Sequence, residues 1–380
     1  MKKNCSFHLL LFLFLSPLAA GAREITIKVS NPISEARHGE IVELQLPEQI
    51  IESEWTLTDS GGNEQTFQIT HDGKLLFAAD LAPEETAVYT LKTGRHADPD
   101  TVCYGRIFPE RLDDLAWEND RAAYRAYGPA LQASGEKAYG YDIWTKSVEF
   151  PVLEKRYHGA LKEGISFHKD HGEGMDVYAV GPTLGGGTTA LLDEEGRIIM
   201  PWCWTEAEVL DNGPLRFTAK LKYAPTVYGK DTIAEIRTIS IDKGEWLNST
   251  DVAYHGAPTG SAFVAGVVVH DSNPKCYRLL QDNNTVLYTD YTQEPFADNG
   301  YIFVGMTTEE DSELLFQPME GVAGVSGHVL IKMKSGEKPT RYYWGGAWSK
   351  GGIESIEAWQ EYLMKFRQRK ANPIKAEIVE

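Results

Sequence analysis

The chain is poor in cysteine, positive charge and long hydrophobic runs, and each scarcity excludes a class of protein. Its 380 residues contain four cysteines and no C-x-x-C pair, so neither a disulfide-rich scaffold nor a zinc or redox motif is indicated. The formal net charge of −18 argues against nucleic acid as a partner. No stretch approaches the roughly 18 apolar residues of a membrane span, so we expect no membrane partner.

Several common catalytic signatures are also missing. The sequence has no G-x-S-x-G elbow of a serine hydrolase, no HExxH helix and no EF-hand spacing. The glycine-rich segment at residues 181–187 lacks the order and the lysine of a phosphate-binding loop. We therefore predict no metal site, and the sequence identifies no cofactor.

The first 22 residues have the composition of a signal peptide. Two lysines at residues 2–3 precede an apolar run at residues 9–15, and Ala20-Gly21-Ala22 fits a cleavage site. We therefore expect a periplasmic or secreted protein that begins near residue 23.

Short runs of alternating apolar and polar residues dominate the rest of the chain and predict an all-β fold. In residues 23–100 the runs are separated by turn sequences such as Asp59-Ser60-Gly61-Gly62-Asn63, which predicts a small β-sandwich domain. In residues 101–380 further strands follow without the helices that a parallel sheet requires, which predicts a larger antiparallel domain. One helix is predicted at residues 355–370, packed on the outside of the large domain. Ser355 fits its N-cap, and its apolar stripe is Ile356, Trp359, Leu363 and Phe366.

Residues 104–189 concentrate the polar and aromatic side chains that a binding cleft needs. Burial of such groups is costly unless they are paired, so we predict that they line one cleft. If the stretch from Trp117 is extended, Trp117, Arg121 and Arg125 share one face, which suits sugar stacking and a bidentate grip on a carboxylate. The same residues can instead form a structural ion network, or lie on one side of a helix.

The segment from His168 to Asp176 supplies candidates for acid–base chemistry, because histidine exchanges protons near neutral pH and a nearby carboxylate can orient it. Elsewhere, aromatic rings suit sugar stacking, and cations suit carboxylate binding. The predicted catalytic residues are His168, His171, Glu173, Tyr141, Glu118 and Asp120. The predicted substrate-binding residues are Trp117, Arg121, Arg125, Trp144, Lys146, Trp202 and Trp344.

Several motif runs resemble a secreted family of unknown function. They are residues 106–121, Tyr127-Gly128-Pro129-Ala130-Leu131, Asp142-Ile143-Trp144-Thr145-Lys146, residues 168–176 and residues 343–348. The resemblance covers almost the whole mature chain. Members occur in polysaccharide-utilisation clusters of gut anaerobes, often beside or fused to hydrolases of unsaturated uronyl sugars from pectin-like glycans. The resemblance implies a galactose-mutarotase-like β-supersandwich for residues 101–380 and a glycan ligand, and it carries over no catalytic residue.

We therefore expect an exported carbohydrate-active protein, and specifically an enzyme that acts on uronate-containing oligosaccharides by hydrolysis or β-elimination. A hydrolase would use two facing carboxylates, such as Glu118 or Asp120 with Glu173. A lyase would need one of the predicted cations on the uronate carboxylate, and a histidine or Tyr141 as base. A non-catalytic glycan-binding protein is the alternative.

Overall fold

A computed structural model describes residues 23–48, 54–95, 99–291 and 298–379, so the predicted signal peptide lies outside the described residues. In chain order, the strands in these ranges are β1 (Glu24–Ser30), β2 (Arg37–Gln45), β3 (Trp55–Asp59), β4 (Glu64–Gln65), β5 (Phe67–Ile69), β6 (Lys74–Leu81), β7 (Thr86–Thr93), β8 (Tyr104–Phe108), β9 (Asp114–Glu118), β10 (Ala123–Ala126), β11 (Asp142–Trp144), β12 (Gly186–Leu192), β13 (Ile198–Ile199), β14 (Trp204–Asp211), β15 (Arg216–Tyr223), β16 (Thr226–Tyr228), β17 (Asp231–Asp242), β18 (Leu247–His255), β19 (Ala262–His270), β20 (Tyr277–Leu280), β21 (Thr285–Tyr291), β22 (Tyr301–Thr307), β23 (Glu313–Pro318), β24 (Val325–Lys334), β25 (Thr340–Trp348) and β26 (Lys375–Val379). The α-helices are α1 (Pro129–Ser134), α2 (Leu153–His158) and α3 (Ile356–Ala371).

The N-terminal residues form a small sandwich of two sheets, with strand orders β26-β1-β7-β3-β4 and β2-β6-β5. Alternation along each strand builds its core: on β1, Ile27 and Val29 are buried, whereas Lys28 faces solvent. Strand β26, which we predicted to belong to the larger domain, pairs instead with β1. That pairing covers the hydrogen-bonding edge of β1, which would otherwise be exposed. The domain boundary at residue 100 stays a prediction.

The large domain is an antiparallel sandwich. One layer is a nine-stranded sheet of order β14-β15-β17-β18-β25-β22-β21-β20, with β16 paired to β17. The other layer consists of two smaller sheets, β13-β12-β19-β24-β23 and β11-β10-β9-β8, which are joined by a bridge between Tyr141 and Gly185. Apolar side chains from both layers, such as Val267 and Val304, fill the core between them. The predicted all-β fold is confirmed.

Helix α3 lies on the outer face of the nine-stranded sheet. The hydroxyl of Ser355 accepts a hydrogen bond from the Ala358 N–H at 3.2 Å and caps the first turn. Trp359, Leu363 and Phe366 are buried against the sheet. The predicted helix and its buried stripe are therefore confirmed.

The sheet β8–β11 is sandwiched between the nine-stranded sheet and α2, and this position determines what its residues can do. Because strand side chains alternate, Trp117 and Tyr124 point into the main core, where they pack against Phe217 and Trp344. The opposite face packs on Leu153 and Tyr157 of α2 and carries the polar residues of the candidate site. These polar residues are Asp114, Glu118, Arg125 and Asp142.

Candidate functional site

The stretch from Trp117 to Tyr127 is a hairpin, which places Trp117 and Arg125 on opposite faces of the sheet. The side-chain oxygen of Asn119 accepts hydrogen bonds from the N–H groups of Arg121 and Ala122, at 2.9 and 3.1 Å, and closes the turn. The register pairs Tyr124 with Trp117 and Arg125 with Ala116. Directly facing residues project to the same side of a sheet, so the predicted shared face of Trp117 and Arg125 is not formed.

Three aromatic residues of the predicted site lie in the hydrophobic core. The Trp117 ring stacks on Phe217, with 5.9 Å between ring centroids, and the Tyr141 ring stacks on Trp344 at 4.2 Å. The hydroxyl of Tyr141 accepts a hydrogen bond from Arg237 at 3.1 Å. Because Trp117, Tyr141 and Trp344 are buried, they offer no face to a sugar, and their predicted roles do not fit the structure.

Glu118 and Lys146 form a closed buried pair. The Lys146 ammonium donates to Glu118 at 2.7 Å and to the carbonyl of Asn119 at 2.6 Å. Glu118 also accepts hydrogen bonds from the N–H groups of Val152 and Leu153, each at 2.9 Å, at the start of α2. Burial lowers the pKa of Lys146, although the charge of Glu118 acts against this. With every polar atom occupied, this pair fastens α2 to the sheet, and it has no group free for substrate.

Asp120 and Arg121 are engaged at the turn of the hairpin. Asp120 accepts a hydrogen bond from the N–H of Gly244 at 2.7 Å and lies 3.5 Å from the Arg121 guanidinium. The Arg121 guanidinium also lies 5.3 Å from the ring of Trp246 and 3.6 Å from Glu149. These contacts hold the hairpin against the loop after β17. They correspond to the structural ion network that the sequence analysis gave as an alternative to a substrate-binding face.

Three aspartates converge on Arg125 beneath the surface of the domain. The Arg125 guanidinium contacts Asp142, lies 3.0 Å from Asp176 and lies 3.4 Å from Asp114. Trp144 donates its indole N–H to Asp142 at 3.0 Å. Arg125, Asp114, Asp142 and Asp176, which we call the Arg125 cluster, are all buried.

The Arg125 cluster has more carboxyl groups than cations to neutralise them. Burial raises the pKa of Asp176 well above its usual range, and the negative charge of Asp142 adds to the effect. Burial also raises the pKa of Asp114, whose Oδ1 has no hydrogen-bond partner among the described residues. A carboxyl group with a raised pKa keeps its proton to a higher pH than an exposed aspartate does. Strongly perturbed carboxyl groups of this type are common at functional sites.

His168 connects the Arg125 cluster to solvent. Its Nδ1 lies 2.7 Å from the backbone carbonyl oxygen of Asp176 and 3.6 Å from the Asp176 carboxylate, while 61% of the side chain is exposed. Donation from Nδ1–H to that carbonyl assigns the tautomer and leaves Nε2 as the basic nitrogen. The ring of Phe167 supports the imidazole edge-on at 4.7 Å. An oriented, exposed imidazole beside the buried carboxyl groups of the Arg125 cluster is suited to general acid–base chemistry.

Arg156 of α2 is a buried cation without a carboxylate partner in the described parts of the chain. One of its terminal nitrogens, Nη2, donates to the carbonyls of Thr145 and Glu173, at 3.0 and 2.8 Å. The other, Nη1, is buried and has no hydrogen-bond partner there. The residue is only 8% exposed, and burial lowers its pKa. A buried guanidinium without an ion pair is destabilising, so an anionic ligand would be favoured beside it.

The remaining predicted residues lie on or near the surface. His171 is exposed, with Nε2 at 3.1 Å from the carbonyl of Ser166, and Glu173 pairs with Lys155 at 2.5 Å. Trp202 is 52% exposed and meets the ring of Tyr139 edge-on at 5.3 Å. The structure therefore brings together Arg125, Trp144 and His168, with His171 and Glu173 on the same loop as His168. Because Arg125 and Trp144 are buried, their predicted direct contact with a substrate does not fit the structure.

Four residues of this site are new relative to the sequence prediction: Asp114, Asp142, Asp176 and Arg156. A signal for two of them was present, because Asp142 directly precedes Ile143-Trp144 and Asp176 directly follows Met175. A lone aspartate inside an apolar strand pattern must find a buried partner. No comparable signal marks Arg156.

The described ranges contain neither a cluster of metal-ligating side chains nor a membrane-spanning helix. No group of three or more His, Cys, Asp and Glu side chains in these ranges is arranged to hold a metal ion. None of the helices in the same ranges has the length and apolar character needed to cross a bilayer.

Comparison with known proteins gives one uncharacterised relative and two solved structures of low sequence identity. "Uncharacterized protein P7" of Formosa agariphila is 28% identical over 328 residues, which are 80% of this chain and 78% of that protein. Two solved structures from Enterococcus faecalis, described as an alpha-mannosidase and as a protein in the Glycosyl Hydrolase Family 38, are 10% and 9% identical, with TM-scores of 0.49. They match 94% of this chain, which spans about half of their length, 46% and 47%. A family model described as "Domain of unknown function (DUF4861)" matches residues 29–376, and the chain therefore belongs to this family.

Proposed function

We propose that the protein is an exported carbohydrate-active enzyme in which His168 transfers a proton to or from a uronate-containing oligosaccharide. The observation that carries the proposal is the exposed His168 imidazole held beside Asp176 of the buried Arg125 cluster, where burial raises the pKa of Asp176. With Nδ1 bonded to the Asp176 carbonyl, Nε2 is free to accept a proton from a sugar at the surface. The composition of residues 1–22 supports export.

Arg156 supports the choice of a uronate as substrate. Its buried, unpartnered Nη1 is suited to binding a carboxylate, and Arg156 bonds the carbonyl of Glu173, three residues before Asp176. The Nη1 atom is covered in this structure, so a ligand oxygen reaches it only after a shift of neighbouring side chains. A cation on the uronate carboxylate acidifies the adjacent C–H bond, which is the requirement for β-elimination.

Proton abstraction by histidine fits this site better than hydrolysis by two carboxylates. Glu118, one of the carboxylates considered for hydrolysis, is closed off by Lys146 and two backbone N–H groups. In the elimination, Nε2 of His168 takes the proton from C5 of the uronate and a C4–C5 double bond forms. The C4–O bond breaks as a consequence, and the departing oxygen takes a proton from solvent.

The test is incubation with pectin fragments and other uronate oligosaccharides, followed by ultraviolet absorbance of the unsaturated uronate product. His168→Ala should lower the rate by about 10²–10⁴-fold while leaving most ground-state binding intact. His38→Ala is the matched control, because the His38 side chain is 83% exposed and lies in the N-terminal sandwich. Absence of product from every uronate glycan with the wild-type protein, or equal rates for wild type and His168→Ala, would overturn the proposal.

A second candidate function is glycan binding without catalysis, and the exposed Trp202 favours it. An exposed indole supported edge-on by Tyr139 is a suitable platform for a sugar ring. If this function is the correct one, Trp202→Ala weakens glycan binding, and no glycan yields product.

A further inference from the structure

A cleft of about 750 Å³ lies between the N-terminal sandwich and the outer face of the nine-stranded sheet. Residues of the N-terminal sandwich, including Glu43 and His71, form one wall. Strands β15, β17, β18 and β25 form the floor, and the end of α3 closes a third side with Arg369 and Lys370. Cavities of about 300–1,000 Å³ at domain interfaces are common binding sites for small ligands.

A row of hydroxyl groups crosses the floor of this cleft. The register places Thr218 opposite Ser240, Ser240 opposite Ser249, and Ser249 opposite Tyr343, on four adjacent strands. All four residues line the cleft. Because neighbouring strands are about 4.8 Å apart, the Cα atoms of these four residues follow one another at a regular spacing across the floor. We call these four residues the hydroxyl row.

Three groups of the hydroxyl row are available to a ligand. The hydroxyl of Tyr343 donates to Glu309 at 2.8 Å. Those of Thr218, Ser240 and Ser249 form no side-chain hydrogen bond with another group in the described ranges. Each hydroxyl can donate one hydrogen bond and accept two, so the floor can bind several hydroxyl groups of one ligand.

The two arginines that flank the hydroxyl row are already paired, which favours an uncharged group of a ligand between them. Arg216 lies 2.6 Å from Asp242 and 2.6 Å from Glu43, which joins the floor to the N-terminal wall. Arg341 contacts Asp251 at 2.6 Å on the other side of the row. At the row itself, a charged group of a ligand would compete with one of these pairs, whereas a neutral polyhydroxyl group bonds to the row without doing so.

We propose that this cleft is a binding site for neutral sugar units of a glycan. The site goes beyond the proposed function, because it selects uncharged sugars and takes no part in proton transfer at His168. Since its walls belong to both sandwiches, a bound saccharide would also hold the two domains together. The N-terminal sandwich thereby contributes directly to glycan binding.

The experiment uses the full-length mature protein on a microarray of neutral and acidic oligosaccharides, followed by calorimetric titration of the strongest neutral binder. Ser240→Val/Ser249→Val removes two hydroxyls and introduces β-branched side chains that suit a strand. Loss of two hydrogen bonds should weaken binding of the neutral glycan by about tenfold or more. Thr90→Val is the matched control, because Thr90 lies half-buried on β7, outside the cleft.

Hydrogen exchange on the wild-type protein gives a readout that does not depend on the folding of the double variant. The neutral glycan should slow exchange in the peptides that contain β17 and β18. The proposal is overturned if no neutral glycan binds, if the double variant binds as tightly as wild type, or if these strands gain no protection. The readout here is binding of neutral sugars, so the cleft proposal can hold even if no uronate glycan yields product. Equally, uronate glycans can yield product even if no neutral sugar binds in the cleft.

Discussion

Replacement of Lys146 by methionine tests whether the Glu118–Lys146 pair holds the fold together. Methionine keeps an unbranched apolar side chain but removes the ammonium, which lies 2.7 Å from Glu118 and 2.6 Å from the carbonyl of Asn119. Both charged side chains are 0% exposed. After the change, Glu118 keeps its backbone N–H donors at the start of α2 but has no cation.

The expected loss of stability is large, because an unpaired charge is left in the interior. Removal of one partner of a buried ion pair costs about 3–5 kcal/mol. For a chain of this length the unfolding entropy is about 0.8 kcal/mol per kelvin, so the Tm should fall by about 4–6 °C. The double variant Glu118→Gln/Lys146→Met leaves no buried charge and should recover most of that loss.

The assay is thermal unfolding followed by circular dichroism, combined with titration of galacturonate oligosaccharides. Lys222→Met serves as control, because Lys222 forms an exposed pair with Glu206 at 2.6 Å and should change stability by about 0–1 kcal/mol. An unchanged Tm for Lys146→Met together with lost affinity for galacturonate would refute the reasoning. In that case, Lys146 would have the substrate-binding role that its sequence context predicted.

Two further predictions concern protonation and helix capping. Burial raises the pKa of Asp114 above its ordinary 3.8. Between the pKa of the unfolded state and that of the folded state, the folded protein therefore binds more protons at this group. The free energy of unfolding should fall as the pH rises through this range. Asp114→Asn should remove this fall, which can be measured as the free energy of unfolding in urea at several pH values. If the difference in unfolding free energy between the variant and wild type is the same at every pH, the prediction is wrong. Ser355→Ala removes the cap of α3 and should cost about 0.5–2 kcal/mol in the same assay; an unchanged value would show that the cap contributes little.

Several strands of the large domain could be predicted because their signal is local. The sequence predicts strands at residues 232–241 and 262–269, and the structure has Asp231–Asp242 and Ala262–His270. A period of two residues arises from the chain itself, without reference to a partner. Strand β26 shows the limit, since its place in the N-terminal sandwich depends on pairing with β1 at the other end of the chain.

The candidate site was harder to predict, because its geometry depends on register. Trp117 and Arg125 were expected on one face, but the turn at Asn119 pairs Arg125 with Ala116 and turns the two side chains apart. A shift of one residue moves a side chain to the other face of a sheet. The sequence indicates that Lys146 and Arg125 need ion-pair partners if they are buried. The identity of each partner depends on contacts between distant segments of the chain.

The pairing of β1 with β26 has a consequence for the order of folding. Arg37 donates to the carbonyl of Asn372, across 335 positions of the chain, and Ile374 joins the core of the N-terminal sandwich. Contacts between such distant residues require closure of a very long loop, which slows folding. During synthesis, β1 remains without its neighbour until residues 375–379 have emerged from the ribosome. Until then the edge of β1 that β26 covers is unpaired and open to association with other chains.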